Sequence, residues 1–125
     1  MSFLDRWQSQ ILAVLRIVSG LLFVEHGSAK LLHFPHVATF DGKLPPIILV
    51  TGIIELVGGA LVTLGLFSRW AAFIMSGEMA IGYFLAHAPK GFFPILNQGE
   101  PAILYCFIFL YLAAAGPGAF AINKR

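Results

Sequence analysis

Several ionisable side chains lie inside apolar stretches of this sequence, where a charge is costly. The segment FVEHGSAKLLHFP carries Glu25, His26 and Lys30, and Glu55 and Glu78 lie in two later apolar stretches. A carboxylate can accept and release a proton, and an imidazole or an ammonium can donate a hydrogen bond to a carbonyl oxygen. These residue types together predict a site that binds a polar group and handles a proton.

The composition indicates that these groups belong to a membrane protein. Of the 125 residues, 58% are hydrophobic and 11% are charged, and the mean hydropathy is +0.85. A typical soluble domain has about 25% charged residues, so a soluble chain this apolar could not cover its surface. The net charge of +2 is small and the basic residues are scattered, which argues against a nucleic-acid-binding surface. A single cysteine, Cys106, excludes an intrachain disulfide.

Four apolar stretches are long enough to be membrane helices, which need about 20 residues each. The predicted spans are residues 9–32, 46–66, 70–88 and 100–116. Pro46 begins the second span, since proline is tolerated in the first turn of a helix. A GPG sequence ends the fourth span. The predicted fold class is therefore all-α, with the whole chain, residues 1–125, forming one integral membrane four-helix bundle.

Four spans place both chain ends on the same side of the membrane. The basic residues on that side are Arg6, Arg69, Lys124 and Arg125. Those on the other side are Lys43 and Lys90, with Lys30 at a helix end. The excess of basic residues beside the termini predicts that both termini are cytoplasmic. The first span is expected to be retained, because its apolar region is too long for a cleaved signal peptide.

Helical geometry places most polar groups of the first span on one face. Successive residues turn by about 100°, so Gly27 and Lys30 fall within about 40° of Arg16, and His26 lies about 80° to one side. Small residues let a neighbouring helix approach, and polar groups point into such contacts. Glu25 lies about 180° from Arg16. We therefore expect Glu25 at a protein–protein contact or in the outer polar region.

The second and third spans place carboxylates near the middle of the membrane. At 1.5 Å per residue, Glu55 lies about 14 Å from Pro46, and Glu78 lies about 15 Å from Ser68. Arg16 lies about 10 Å into the first span, and its long side chain can reach the level of Glu55. We predict an interior cluster of Arg16, His26, Lys30 and Glu55, in which Arg16 is the partner of Glu55.

These residues are the candidate site. The candidate catalytic residues are His26, Lys30 and Glu55, and the candidate ligand-binding residues are Arg16, Glu78 and Glu100. Structural interpretations stay open beside these roles: a buried ion pair can fix helix register, Lys30 can extend to the headgroups, and Glu100 can cap the fourth helix. No metal site is predicted, since the E-x-x-H pattern of metal-binding bundles does not recur.

Four segments resemble signatures of the DoxX family: LRIVSGLLFVEHGSAKLL, GIIELVGGALVTLGLFSRWAA, NQGEPAILY and GPGAFAINKR. The resemblance implies a multi-pass, four-helix protein of the bacterial inner (plasma) membrane, related to small subunits of terminal oxidase and thiosulfate:quinone oxidoreductase systems. The matching positions are Arg16, His26, Gly27, Lys30, Glu55, Gly58, Gly59, Arg69, Glu100, Gly116 and Pro117. Many relatives continue from GPG into a polar Ser or Asp segment, whereas this chain continues with Ala119-Phe120-Ala121.

The resemblance and the polar residues together predict a quinone-linked oxidoreductase component, and whether the chain is itself an enzyme stays open. His26, Lys30 or Arg16 would bind a quinone carbonyl, and Glu55 or Glu78 would handle the proton. No intrinsic cofactor is expected beyond a bound quinone, and electrons would come from a redox partner subunit or a diffusible reductant. Two alternatives remain: a non-enzymatic partner or assembly subunit, and a small proton-coupled transporter, which four short helices would form as a homo-oligomer.

Overall fold

The computed structural model describes residues 2–125, and every regular element in that range is helical. The α-helices are α1 (Ser2–Asp5), α2 (Gln8–Leu32), α3 (Pro46–Leu64), α4 (Ser68–Gly82), α5 (Pro94–Asn97) and α6 (Glu100–Ala115). A π-helical turn, Tyr83–His87, and a 3₁₀ turn, Ala88–Lys90, extend α4. Another 3₁₀ turn, Ala38–Phe40, lies in the loop between α2 and α3. The predicted all-α class is confirmed.

Three helices within residues 2–125 are long and apolar enough to cross a membrane: α2, α3 and the continuous helix Ser68–Lys90. They coincide with the first three predicted spans to within a few residues. The second ends at Leu64, because Gly65 adopts a left-handed conformation with φ of 69°. Helix α6 has 16 residues. At about 24 Å it is shorter than the hydrocarbon core of a bilayer, about 30 Å thick.

Helices α2 and α3 form an antiparallel pair that packs through glycine. A Cβ atom on Gly27 would lie 2.5 Å from the backbone nitrogen of Leu56, and one on Gly59 would lie 2.7 Å from that of Val24. Backbones this close leave no room for a side chain, which is how small residues support helix packing in membranes. This close packing of the two helices places Lys30 beside the first turns of α3.

We expect Gly27→Ala to destabilise the protein by about 1–3 kcal/mol, because the added methyl group forces α2 and α3 apart. Gly82→Ala is the matched control, since a Cβ atom there meets nothing within 4 Å. Thermal unfolding in detergent should show a lower midpoint for Gly27→Ala and an unchanged or higher one for Gly82→Ala. Equal midpoints for the two variants would contradict this packing.

The apolar core lies in the half of the bundle that holds the chain termini. Its large members are Phe23, Val62, Met75, Phe109 and Leu112, all at most 2% exposed. The ring centroid of Phe23 lies 4.9 Å from that of Tyr105 and 4.7 Å from that of Phe109, in edge-to-face geometry. These aromatic contacts join α2 to α6, and the two helix pairs separate beyond them.

The last ten residues, 116–125, fold back across the termini end of the bundle, and we call them the C-terminal strap. The backbone bonds that hold the strap are Ala119 N to Ser9 O at 3.1 Å, Ile122 N to Leu64 O at 3.3 Å, Asn123 N to Gly65 O at 3.0 Å and Arg69 N to Arg125 O at 3.0 Å. Gly118 has φ of 74°, and a Cβ atom there would lie 2.6 Å from Ser9 O. The strap therefore depends on glycine at this position.

Candidate functional site

A cavity of about 750 Å³ opens between the α2–α3 pair and the α4–α6 pair, at the end opposite the C-terminal strap. Ligand-binding pockets commonly have about 300–1,000 Å³ and apolar walls with a few polar groups. The apolar walls here include Ile48, Ile54, Met79 and Pro101. The polar side chains that line the cavity are His26, Lys30, Thr51, Glu55, Glu78, His87, Gln98 and Tyr105.

An ion pair lies at the polar end of the cavity. The Nζ atom of Lys30 donates to Glu55 Oε1 at 2.8 Å and to Thr51 Oγ1 at 3.2 Å. The side chains of Lys30 and Glu55 are 12% and 4% exposed, so the pair is nearly removed from solvent. Thr51 in turn donates to the carbonyl oxygen of Ile48 at 2.9 Å. These contacts hold the ammonium group in place and use two of its three N–H donors, and Nζ also lies 5.8 Å from the ring centroid of Phe40.

Glu78 brings a second carboxyl group to the same place. It lines the same cavity and lies near Glu55 and Lys30. Two carboxyl groups can share a hydrogen bond only when one proton lies between them. The Oε1 atom of Glu78 is buried and has no hydrogen-bond partner among residues 2–125. Glu78 therefore adds a second carboxyl group to the wall of the cavity.

His26 contributes an unpartnered ring at another edge of the cavity. Its side chain is exposed, and within the described part of the chain its ring nitrogens make no hydrogen bond or ion pair. The ring packs against Phe23, with 5.7 Å between the two centroids. An imidazole held by packing alone is available to donate to, or accept from, a bound molecule.

The mouth of the cavity faces sideways, toward the surface that a bilayer would cover. Ile47, Ile74, Ile81 and Leu85 edge the cavity, and each is more than half exposed. These side chains lie on helices that are long and apolar enough to cross a membrane. The mouth of the cavity is therefore edged by exposed apolar side chains of α3 and α4.

The predicted pairing of Arg16 with Glu55 is wrong. Arg16 is fully buried, but its guanidinium donates to the carbonyl oxygens of Pro117, Ala119 and Phe120 in the C-terminal strap. The strap lies at the opposite end of the bundle from the cavity, and the cationic partner of Glu55 is Lys30. Arg16 therefore does not line the cavity and does not join the predicted cluster.

Glu100 also lies outside the main cavity. It is exposed, it is the first residue of α6 after the capping residue Gly99, and its side chain makes no cap hydrogen bond. It lines a separate recess of about 390 Å³ with Phe93 and Leu104. A carboxylate in the first turn of a helix is stabilised by the positive end of the helix dipole, and this interaction accounts for the position of Glu100.

Glu25 lies on the exposed face of α2, opposite Arg16, as its helical position predicts. Its contact with another protein or with the outer polar region stays a prediction. Within residues 2–125, no group of three or more His, Cys, Asp or Glu side chains is arranged to hold a metal ion. The sequence-predicted residues that meet at one site are thus His26, Lys30, Glu55 and Glu78.

The sequence analysis did not identify the uncharged residues that support this site. Asn97 is fully buried, donates to Tyr83 Oη at 3.1 Å and to Gly91 O at 2.9 Å, and accepts from Gly99 N at 2.8 Å. These bonds fix the turn that leads into α6, where Gln98 lines the cavity. The polar N-Q-G sequence between two apolar helices was the available signal, since a buried amide needs several partners.

Fold and site together define a class: a small, all-helical membrane-type protein with an ionisable cluster at the end of an apolar, laterally open cavity. The chain belongs to the DoxX family, whose family model matches residues 11–88, a range that contains α3, α4 and most of α2. It is 48% identical to a Haemophilus influenzae protein described as an uncharacterized protein, over 130 aligned residues that cover 100% of this chain and 97% of the relative. No solved structure matches the chain.

Proposed function

We propose that this protein binds a quinone within the membrane and acts as a component of a quinone-linked oxidoreductase system. One observation carries the proposal: an apolar cavity that opens toward the bilayer is lined by ionisable side chains, and one of them, His26, has no hydrogen-bond partner among residues 2–125. A quinone has a flat apolar ring, polar oxygens at its ends and a lipid-soluble tail. The DoxX family membership is consistent with the proposal and does not carry it.

The residues present fit this class of ligand. Lys30 and His26 would hold a ring oxygen, since both can donate a hydrogen bond. Apolar side chains such as Ile54 and Met79 would contact the ring, and the mouth beside Ile81 would let the tail extend into lipid. When bound, a quinone supplies two-electron redox chemistry, with the electrons exchanged through a redox partner subunit.

The carboxyl pair gives the site a means of moving a proton. Glu55 and Glu78 both line the cavity, and Lys30 offsets one negative charge. Such a group of three can hold or release a proton without leaving a large net charge in the membrane, where an isolated charge is costly. In this proposal Glu78 exchanges the proton with the ligand, and Glu55 and Lys30 keep Glu78 in position.

We further propose that the chain is a single domain whose four helices, α2, α3, α4 with its extension, and α6, all cross the inner membrane. Helix α6 packs along α4, and its own sequence, EPAILYCFIFLYLAAA, is almost entirely apolar. Both termini would then lie in the cytoplasm, by the excess of Arg and Lys on their side. The cavity would open toward the outer half of the membrane.

Quinone binding is tested by titrating the purified protein in nanodiscs with decylubiquinone under calorimetry. The wild type should bind. Gly77→Leu should weaken binding at least tenfold, or about 1.4 kcal/mol, because Gly77 lines the cavity and its Cβ direction is open, so leucine would occupy ligand space. His26→Ala should weaken binding by a similar factor, through the loss of a hydrogen-bonding group.

The control is Phe73→Leu, which changes an exposed side chain on the same helix outside the cavity. It should bind as the wild type does. Absence of binding by the wild type, or equal affinity for all four proteins, would refute the proposal and favour a non-enzymatic subunit of a membrane complex.

A proton-coupled transporter is the second candidate, and the presence of both Glu55 and Glu78 in the cavity wall is the observation that favours it. Paired carboxyl groups at mid-membrane depth are typical of proton relays. Proteoliposomes with an internal pH dye separate the two functions. Proton movement that requires Glu78 and proceeds without a quinone would favour the transporter.

A further inference from the structure

Three contacts fix the register of α6 against α4. Arg69 Nε donates to Ala113 O at 2.9 Å, Ser76 Oγ donates to Cys106 O at 2.7 Å, and a Cβ atom on Gly99 would lie 2.5 Å from Cε2 of Tyr83. Each step of seven residues along α4 and its extension is thus matched by a step of seven residues back toward the start of α6. The same register places Glu100, the first residue of α6, opposite Gly82.

The start of α6 therefore lies deeper in the membrane than the end of the neighbouring helix. The continuous helix Ser68–Lys90 has 23 residues, about 34 Å, which is enough to cross a hydrocarbon core of about 30 Å. Lys90 lies about 12 Å beyond Gly82 along this helix, at 1.5 Å per residue. Residues 91–99, which we call the outer turn, must return over this distance before α6 begins.

The outer turn has an apolar exposed surface. Its sequence, GFFPILNQG, contains no charged residue. Phe92 is 86% exposed, and Phe93, Ile95 and Leu96 are each at least 60% exposed. On the adjacent extension of α4, Phe84 is exposed as well, so the apolar surface is continuous with that of a helix long enough to cross a membrane. None of these side chains could form a hydrogen bond that positions a protein partner, and lipid acyl chains fit such a surface.

Buried Asn97 supports the irregular backbone of the outer turn. Non-helical backbone is tolerated at membrane depth where protein groups satisfy it. The side chain of Asn97 donates to Gly91 O at 2.9 Å and accepts from Gly99 N at 2.8 Å, which joins the two ends of the turn. The backbone nitrogen of Asn97 donates to Phe93 O, and its carbonyl oxygen accepts from His87 Nδ1 at 3.1 Å.

The charged residue that follows the outer turn is compatible with this depth. Glu100 lines the 390 Å³ recess together with Phe93, Pro94 and Ile95. As the first residue of α6, its carboxylate lies at the positive end of the helix dipole, which stabilises it.

We infer that the outer turn inserts into the outer leaflet of the bilayer, with its exposed apolar side chains in contact with lipid acyl chains. This inference rests on the membrane placement proposed above, in which α4 and α6 cross the bilayer. The outer turn and α6 together then form the fourth crossing, which α6 alone is too short to complete. Gln98, which belongs to the turn and lines the cavity, lies below the membrane surface as a result.

Spin labels on single cysteines in nanodiscs test this placement. In a Cys106→Ala background, the labelled variants are Phe92→Cys and Ile95→Cys in the outer turn, Phe73→Cys on the exposed face of α4, and Lys43→Cys in the loop between α2 and α3. Electron paramagnetic resonance compares relaxation by oxygen, which concentrates in hydrocarbon, with relaxation by nickel ethylenediaminediacetate, which stays in water. Collisions with the nickel complex at positions 92 and 95 should be lower than at position 43 by about fivefold or more, because hydrocarbon excludes polar solutes. Oxygen access should match that at position 73.

The four positions separate the inference from the placement on which it rests. Access of the nickel complex at positions 92 and 95 equal to that at position 43, with position 73 protected, would place the turn in water and overturn the inference alone. Low access of both reagents at positions 92 and 95 would indicate contact with a second copy of the chain and would also overturn it. Free access of the nickel complex at position 73 would refute the membrane placement itself. Helical circular dichroism of each labelled variant verifies that the fold is retained.

Discussion

Lys30→Met is expected to lower the free energy of unfolding by about 3–5 kcal/mol, because it leaves Glu55 buried without its cation. The ammonium lies 2.8 Å from Glu55 Oε1, and the two side chains are 12% and 4% exposed. Unfolding in mixed micelles with a rising fraction of SDS, followed by circular dichroism, measures the change.

Two further variants identify the cause of that loss. Lys90→Met removes an exposed lysine from the same end of the bundle and should change stability by less than about 0.5 kcal/mol. The double variant Lys30→Met/Glu55→Leu should recover much of the lost stability, because it replaces both members of the pair with apolar groups. Additive losses from the two single substitutions would mean that Lys30 and Glu55 do not stabilise each other.

The helices could be predicted from the sequence because local signals determine them. Apolar length, Pro46 at the start of α3 and Gly65 after its end identify the second span without tertiary information. The predicted third span, residues 70–88, covered the extension of α4, but the π-helical form of the turn at Tyr83–His87 has no sequence signal of its own. The depth of each carboxylate follows from the rise per residue, which is why Glu55 and Glu78, predicted at similar levels, do meet.

The sequence did not predict which group each buried cation contacts. The position of a residue on its helix and its depth in the membrane limit which side chains can meet. They do not decide which helices are neighbours, so each cation has several possible carboxylate partners. Lys30 contacts Glu55 because Gly27 brings α2 against Leu56, and that contact involves backbone atoms that a sequence pattern does not identify. The partners of Arg16 are carbonyl oxygens, which every residue has, so no sequence signal marks them.

Arg16→Met is also expected to lower the free energy of unfolding by about 3–5 kcal/mol, for a reason unrelated to the cavity. It removes the donor to three strap carbonyls, those of Pro117, Ala119 and Phe120, and leaves them buried or partly buried without it. Arg16→Lys should recover less than half of the loss, because an ammonium cannot reproduce the planar fork that spans these acceptors. Arg6→Met, at an exposed arginine near the same end, is the control.

The susceptibility of the C-terminal strap to proteolysis tests this explanation. With Arg16 replaced by methionine, digestion by a carboxypeptidase should remove residues 116–125 at least tenfold faster than in the wild type, as followed by mass spectrometry. Ligand binding should be retained, because the cavity lies at the other end of the bundle. A double-mutant cycle between Arg16 and Glu55 should be additive within about 0.5 kcal/mol, since the two share no partner. Strong coupling in that cycle, with an unchanged digestion rate, would restore the Arg16–Glu55 pair that the helical positions first suggested.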